Sequence, residues 1–540
     1  MHVFPRLLYV AFALVVLTAA LNPARTLAAN NEDVASAIEA FITSGQINLG
    51  SERDDERMFQ IFTYYHDRNF KPIWTRDGGV KTKGRMLLRV LRNAGEHGLD
   101  PQNYYIEDIA ERIDATNPEV LAELDLLLSD VFSDFARDLS QGRIDPSTIS
   151  RDLAIKPHGP GPLYLIDGAE QADDLLPYIE QIKPQTARYD RLKSALADYR
   201  KIAADGGWPK IAAGPAIKPG NDGARVPVLR EILTIMGDLK VTGTGNTYDT
   251  ALVDAVKAFQ LRHGRNPDGV IGPSTLKALN VPVEKRVEQM VLNLERRRWM
   301  DDDLGKLYIF VNQADQALKV VRNENGREKT IHTARLVVGK PYHRTPVFSR
   351  KMRYVVINPY WNVPTSIANN EYLPKLRRNP GVLVKEKVRL INASGKFVDP
   401  YSVNWHAVRR VPYRLRQDTG PGNALGRIKF MFPNKFNVYI HDTPSKNLFA
   451  RESRYFSHGC MRLQHPEQLG QILLGPQGWS AKRIAAQIAS GKRRIVNLKS
   501  HVPVHVTYLT AWVNKDGSVH FRDDIYGRDK VLAKALEQVK

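Results

Sequence analysis

Ser457-His458-Gly459-Cys460-Met461-Arg462 holds the single cysteine of a 540-residue chain, and a second histidine stands upstream in Tyr439-Ile440-His441-Asp442-Thr443-Pro444. With no second thiol, Cys460 has no internal disulfide to enter. A free cysteine with a pKa of about 8.5 is mostly protonated near neutrality and attacks only as its thiolate, so chemistry at Cys460 needs a base. An imidazole, with an unperturbed pKa of about 6.5, can take that proton and return it to a leaving amine. His458 is two residues from Cys460 and shares its face if the segment is extended. His441 ends an apolar alternation from Phe436 to Ile440 that reads as a strand, from which it can meet Cys460 across a strand pair. We therefore take His441 as base and His458 as a positioning group. Gly459 permits a tight turn whose amide, with that of Cys460, can receive a developing oxyanion. Two other readings stay open: an inert thiol among core histidines, and a metal site of His441, His458 and Cys460. Neither a second cysteine nor an HExxH-type pair supports zinc, so no metal and no cofactor are expected.

Working outward, fifteen residues separate His441 from Ser457, and Arg462 stands two residues after the cysteine. This pattern resembles the L,D-transpeptidases of the YkuD family, and Arg462 is similar to the large Gram-negative, YcbB-like branch. Thr345-Pro346-Val347-Phe348, Asn358-Pro359-Tyr360-Trp361-Asn362-Val363-Pro364 and Phe521-Arg522-Asp523-Asp524-Ile525-Tyr526-Gly527 agree with it. The resemblance implies that Cys460 attacks the carbonyl between the L-centre of a diaminopimelate and the D-Ala that follows it. A second stem amine then takes the acyl group and makes a 3-3 crosslink. It also implies that the main-chain carbonyl of Asp442 orients His441 and that Trp361 and Tyr439 line the substrate cleft, with Asn362, Ser457 and Arg462 meeting the substrate. Tyr439, two residues before His441 and so on its strand face, can assist the oxyanion, and either aromatic could equally be a core residue. Arg462 suits a stem carboxylate, which a guanidinium holds bidentately, or an internal salt bridge. Carbapenem acylation of Cys460 is a further implication.

The residues before the catalytic region divide by composition. Met1 to Ala29 reads as an export signal: Arg6, the apolar run Leu7 to Leu21, then Leu27-Ala28-Ala29 for cleavage. An uncleaved inner-membrane anchor competes with that reading, and Pro23 weakens it. Export places the protein in the periplasm. Residues 30–214 are mainly helical, with Leu124, Leu127, Leu128, Val131, Phe132 and Phe135 at three- and four-residue intervals on one helix that Gly142 and Pro146 stop. His97 reads as a loop histidine making a local hydrogen bond. A Gly- and Pro-rich linker, 206–223, leads into a small three-helix region, 215–282, which resembles peptidoglycan-binding domains through Phe259, Asp268-Gly269 and Gly272-Pro273-Ser274. A basic connecting helix spans 283–303.

Strand signals fill 304–530, in the family a β-sandwich, with 531–540 as a tail. Within it Leu307 to Val311 and Leu318 to Val321 form a hairpin, and Asn325-Gly326 marks the next turn. Between Pro364 and Arg427 the strand pattern is lost, so an insertion over about 366–427 is expected to cap the cleft as a lid. The fold class is thus multidomain α+β: helical scaffold, peptidoglycan-binding-like domain, and β-sandwich catalytic domain with a capping insertion.

The net charge of +20, from 78 basic and 58 acidic residues, suits an anionic partner. Zinc-finger spacing and RNP-like motifs are missing and the basic residues are dispersed, so nucleic acid is not the expected partner. Peptidoglycan stem peptides are, with cell-wall synthases and carboxypeptidases as candidate protein partners. An L,D-carboxypeptidase, in which water takes the acyl group, uses the same residues. A silent wall-binding scaffold would be expected to show a broken Cys/His pair. A papain-like peptidase places its cysteine before its histidine, the reverse of the order here.

Overall fold

A computed structural model describes residues 32–44, 55–240 and 245–539; the export signal expected over 1–29 lies outside the described residues. The scaffold is built on the helix Pro118–Gln141. Asn117 caps it by accepting from the amides of Glu119 and Val120, Pro118 occupies its first turn, and Gly142 ends it with a φ of 89°. Its apolar side chains share one core with Leu87, Leu91 and Leu165 from the surrounding helices and with Trp74 from the turn before a short strand.

One polar residue fixes the chain around that helix. The Asp125 carboxylate is fully buried. It accepts from the amides of Ile73, Trp74 and Thr75 at 2.9, 2.8 and 2.6 Å, and from the hydroxyl of Tyr65. Alanine there would leave three buried amides without an acceptor, so Asp125→Ala is expected to destabilise the scaffold by about 3 kcal/mol. Asn, which keeps one acceptor, should cost less. Urea denaturation followed by circular dichroism measures this, and an unshifted midpoint for Asp125→Ala contradicts it.

The three helices Arg225–Ile235, Thr250–Arg262 and Pro273–Leu279 close over Leu229, Leu233, Phe259 and Leu279. The stretch read as a linker is part of this unit. Ile211 and Ile217 are buried in its core, with the Ile211 amide on Asn280 at 2.8 Å and Ile217 bridged to Ile271. Gly and Pro mark turns there, and the two isoleucines supply the anchor.

The helix Val283–Arg298 packs on the helix Ala187–Ala204 through Leu192, Leu196, Met290 and Leu294. His97 is buried against this contact, with Nδ1 3.1 Å from the Tyr189 hydroxyl. Of the tail expected over 531–540, residues 531–538 belong to the helix Arg528–Gln538, whose Leu532 docks against Ile144, Leu292 and Trp299.

One sheet of the C-terminal region holds nine strands: β1 Leu307–Asn312, β2 Ala317–Glu324, β3 Arg327–Gly339, β4 Phe348–Ile357, β5 Ile428–Met431, β6 Ile440–His441, β7 Tyr455–Ser457, β8 Met461–Leu463 and β9 Arg494–Thr507. Their order is β7-β3-β8-β6-β5-β4-β9-β1-β2. β3 also pairs with β2 through its first half, so the pairings close on themselves and the two layers of the sandwich are one continuous sheet. The hairpin read from the sequence is β1–β2, and Asn325-Gly326 turns β2 into β3 with both φ angles positive, 52° and 79°. Inside lie Val355, Ile357, Ile428, Phe430, Ile440 and Met461.

The insertion folds as a unit. Trp361–Asn362, Arg414–Gln417, Val388–Ile391 and Phe397–Val398 pair in that order as a four-stranded sheet. Leu373, Leu376, Leu383, Leu390, Trp405 and Leu415 form a separate core beneath it. The expected loss of strand pattern over Pro364 to Arg427 was incomplete: three strands of two to four residues lie there, too short for their alternation to register among basic neighbours.

Candidate active site

Register decides which side chains meet. β6 and β8 run parallel with Ile440 opposite Met461 and His441 opposite Arg462; the amide of Met461 donates to the Tyr439 carbonyl at 3.1 Å. Since Ile440 and Met461 face the core, Tyr439, His441, Cys460 and Arg462 share the opposite face. β5 adds Lys429, which pairs with His441 and alternates with buried Ile428 and Phe430.

His441 is buried, and its Nδ1 lies 2.5 Å from the carbonyl of Asp442. That contact fixes the tautomer with the proton on Nδ1 and leaves Nε2 as the basic nitrogen. The Asp442 carboxylate points elsewhere, accepting from the Arg427 amide at 2.8 Å and pairing with Lys446. Burial pushes the imidazole down to about 3, with the Arg462 charge adding to it and the Asp442 carbonyl opposing.

Cys460 is half-buried, its Sγ 3.9 Å from the Asn437 carbonyl. Burial raises its pKa, while hydrogen bonds from the Tyr439 main chain and hydroxyl and the charges of Lys429 and Arg462 pull it back. The resting pair is therefore a neutral thiol and a neutral imidazole. The sulfur's hydrogen-bonding contacts run to Tyr439 and Asn437, and none joins it to His441. Burial and the thiol raise the Tyr439 hydroxyl far above its ordinary range, so it stays a proton donor.

The turn before the cysteine is clipped internally. Ser457 Oγ donates to the Cys460 carbonyl at 2.5 Å and accepts from the Gly459 amide at 3.2 Å. Thr345 holds the Gly459 carbonyl at 2.8 Å, and Gly459 has a φ of 109°, where a side chain is strained. The expectation that the Gly459 amide faces an oxyanion thus meets an amide already engaged. Among the described residues the Cys460 amide has no acceptor, which leaves it as the available donor. Ser457, expected on the substrate side, commits its hydroxyl to the turn.

His458 turns away from the sulfur: its Nε2 lies 2.6 Å from Glu371 of the lid, and its ring is 4.9 Å from that of His343. Trp361 is half-buried in the lid, tilted against Tyr372 at 6.5 Å, and Asn362 beside it is exposed. Arg462 and Lys429 have no carboxylate partner among the described residues. The internal salt bridge considered for Arg462 is not formed. Lys429 rests over the Tyr439 ring at 3.7 Å. Among the described residues no group of three or more His, Cys, Asp or Glu side chains is arranged to hold a metal.

Sequence reasoning missed Lys429 and Glu371. A lysine between two core residues of a short strand was the available signal for the first, but its neighbours follow only from register. Nothing local marks Glu371, which gains its meaning from the lid's position.

Comparison with known proteins matches three segments of the chain to described families. Residues 306–495 match the family described as "L,D-transpeptidase catalytic domain" (YkuD), residues 222–279 the "Putative peptidoglycan binding domain", and residues 60–196 the "Scaffold domain". A "Putative L,D-transpeptidase" of Haemophilus influenzae is 35% identical over 256 residues, 47% of this chain and 51% of that protein. The chain therefore spans about half the length of this relative. A solved fused Zn-dependent amidase/peptidase/peptidoglycan-binding domain-containing protein from Clostridium acetobutylicum is 12% identical, covering 55% of this chain and 100% of its own, at a TM-score of 0.16. A Bdellovibrio bacteriovorus structure is 11% identical over 43% of this chain and 56% of its own, also at 0.16. Neither of the two structural likenesses bears on the fold.

Proposed function

We propose that this chain, which carries an L,D-transpeptidase catalytic domain of the YkuD family and a peptidoglycan-binding domain, forms 3-3 crosslinks in peptidoglycan through an acyl-enzyme on Cys460. The observation that carries the reading is the shared face of β6 and β8. It groups a thiol, a tautomer-fixed imidazole, a protonated Tyr439 hydroxyl and two cations that have no carboxylate partner among the described residues.

In the proposed reaction His441 Nε2 takes the Sγ proton as sulfur attacks the carbonyl between diaminopimelate and D-Ala. The Cys460 amide and the Tyr439 hydroxyl donate to the oxyanion. The C–N bond breaks, the imidazolium returns its proton to the departing D-Ala amine, and a thioester remains. The side-chain amine of a second stem then attacks the thioester, loses its proton to His441, and releases Cys460. Lys429 and Arg462 suit the stem carboxylates. The reaction needs neither metal nor cofactor.

The lid supports transfer over hydrolysis. It has its own core and reaches the cysteine turn through Glu371 and His458, so it can keep water from the thioester. We assign the chain to the large Gram-negative branch, exported to the periplasm, on the strength of the scaffold and peptidoglycan-binding domains that precede the catalytic one. Incubation with a defined disaccharide tetrapeptide, followed by mass spectrometry, tests the reading. A dimer lacking one D-Ala is the expected product; tripeptide alone means an L,D-carboxypeptidase, and unchanged substrate means a wall-binding scaffold.

A further inference from the structure

Arg297 lies on the helix Val283–Arg298 between two arginines that are paired, Arg296 with Asp529 at 2.5 Å and Arg298 with Glu295 at 3.2 Å. Arg297 is only 8% exposed; its buried Nε has no hydrogen-bond partner, and among the described residues its guanidinium forms no ion pair. A guanidinium does not give up its proton at neutral pH, so a buried one with no carboxylate in direct contact is costly for a fold to keep.

The side chain lines a cavity of about 420 Å³, large enough for a small ligand. Arg188 and Arg191, from the scaffold helix Ala187–Ala204, line it as well, and Phe310 and Trp512 give it an apolar wall. Three carboxylates border the space, and each is committed. Glu328 pairs with Arg188 at 2.5 Å and accepts from the Tyr308 hydroxyl at 2.6 Å. Asp315 pairs with Arg522 at 2.6 Å, and Asp516 accepts from Ser518. Burial, then the charges of Arg188 and Arg191, push the Arg297 guanidinium down to about 9, against the opposing charge of Glu328, which is itself bound to Arg188.

We propose that this cavity is a second binding site, for a small ligand bearing a carboxylate or a phosphate, with Arg297 as its counter-ion. It shares no lining residue with the thiol site. Its walls come from the scaffold helix, the connecting helix and strands β1 to β3, so a ligand there ties the scaffold to the catalytic sheet and stabilises their docking.

Thermal unfolding of the purified chain at fixed ionic strength tests this with two probes, inorganic phosphate and succinate. At least one should raise the Tm along a saturable curve; which one does so separates a phosphate ligand from a carboxylate. Arg297→Met removes the charge and keeps the length. It should weaken half-saturation at least about tenfold, leave the ligand-free Tm unchanged or raised, and leave tetrapeptide turnover within about twofold. The proposal is overturned if neither probe gives a saturable shift, if the shift survives in Arg297→Met, or if that variant lowers the ligand-free Tm, the mark of a structural arginine.

Discussion

Replacement of Cys460 by alanine is expected to reduce tetrapeptide turnover by at least about 10⁴-fold, because a covalent route without its nucleophile keeps only binding and oxyanion stabilisation. The fold should tolerate the change. The sulfur is half-buried at the edge of β8, outside the packed interior, and its longest-range bond is the 3.9 Å contact to Asn437. The clip from Ser457 Oγ uses the main-chain carbonyl of residue 460, which alanine retains. The Tm should therefore stay close to that of the parent while product disappears. Intact mass after exposure to a carbapenem gives an independent readout, with one adduct on the parent chain and none on Cys460→Ala. Residual turnover above about 1% of the parent would mean that another group carries the acyl chain, and the proposed role of Cys460 would fall.

How much of this was legible in the sequence depends on the range of the interaction. The helix Pro118–Gln141 was readable because its apolar spacing, Asn117-Pro118 start and Gly142 stop are local. The β1–β2 hairpin was readable for the same reason. The orienting role of the Asp442 carbonyl came from the family resemblance and not from any local pattern; in the structure that carbonyl lies 2.5 Å from His441 Nδ1. The committed Gly459 amide, the Ser457 clip and the placement of Lys429 over the Tyr439 ring were not legible. Each depends on where a hydroxyl or a neighbouring strand lies in space, and a one-residue slip of β5 would turn Lys429 into the core. The docking of Ile211, Ile217 and Leu532 was missed because isolated apolar residues in a loop or tail carry no period.

The second large effect concerns His441 and separates a thiol–imidazole pair that is neutral at rest from a preformed ion pair. The imidazole pKa is pushed down to about 3, so its basic form is present throughout the range above that value. The thiol pKa is raised, so the thiolate fraction keeps growing as pH climbs through and beyond the ordinary cysteine range. Together they predict that the rate of Cys460 alkylation by iodoacetamide climbs steadily from pH 5 upward, whereas kcat/KM, carried by the neutral thiol and the basic imidazole, stays level from pH 5 through neutrality; neither shows a step near the ordinary imidazole value of about 6.5. A preformed thiolate–imidazolium pair would instead give an alkylation rate already level at neutrality. His441→Asn should lower acyl transfer at pH 7 by about 10²- to 10⁴-fold, yet leave alkylation at high pH, where the thiolate forms without help, nearly unchanged. That split is what a purely structural histidine would not produce, since misplacing the cysteine turn would slow both reactions. Stability gives the same sign by another route: a histidine whose folded pKa lies below its unfolded value contributes fully above about pH 6.5 and loses that contribution as pH falls toward 3. His441→Asn should accordingly flatten part of the acid limb of Tm against pH. An alkylation rate that levels off by pH 7 in the parent chain would refute the neutral pair and require His441 to hold its proton at rest.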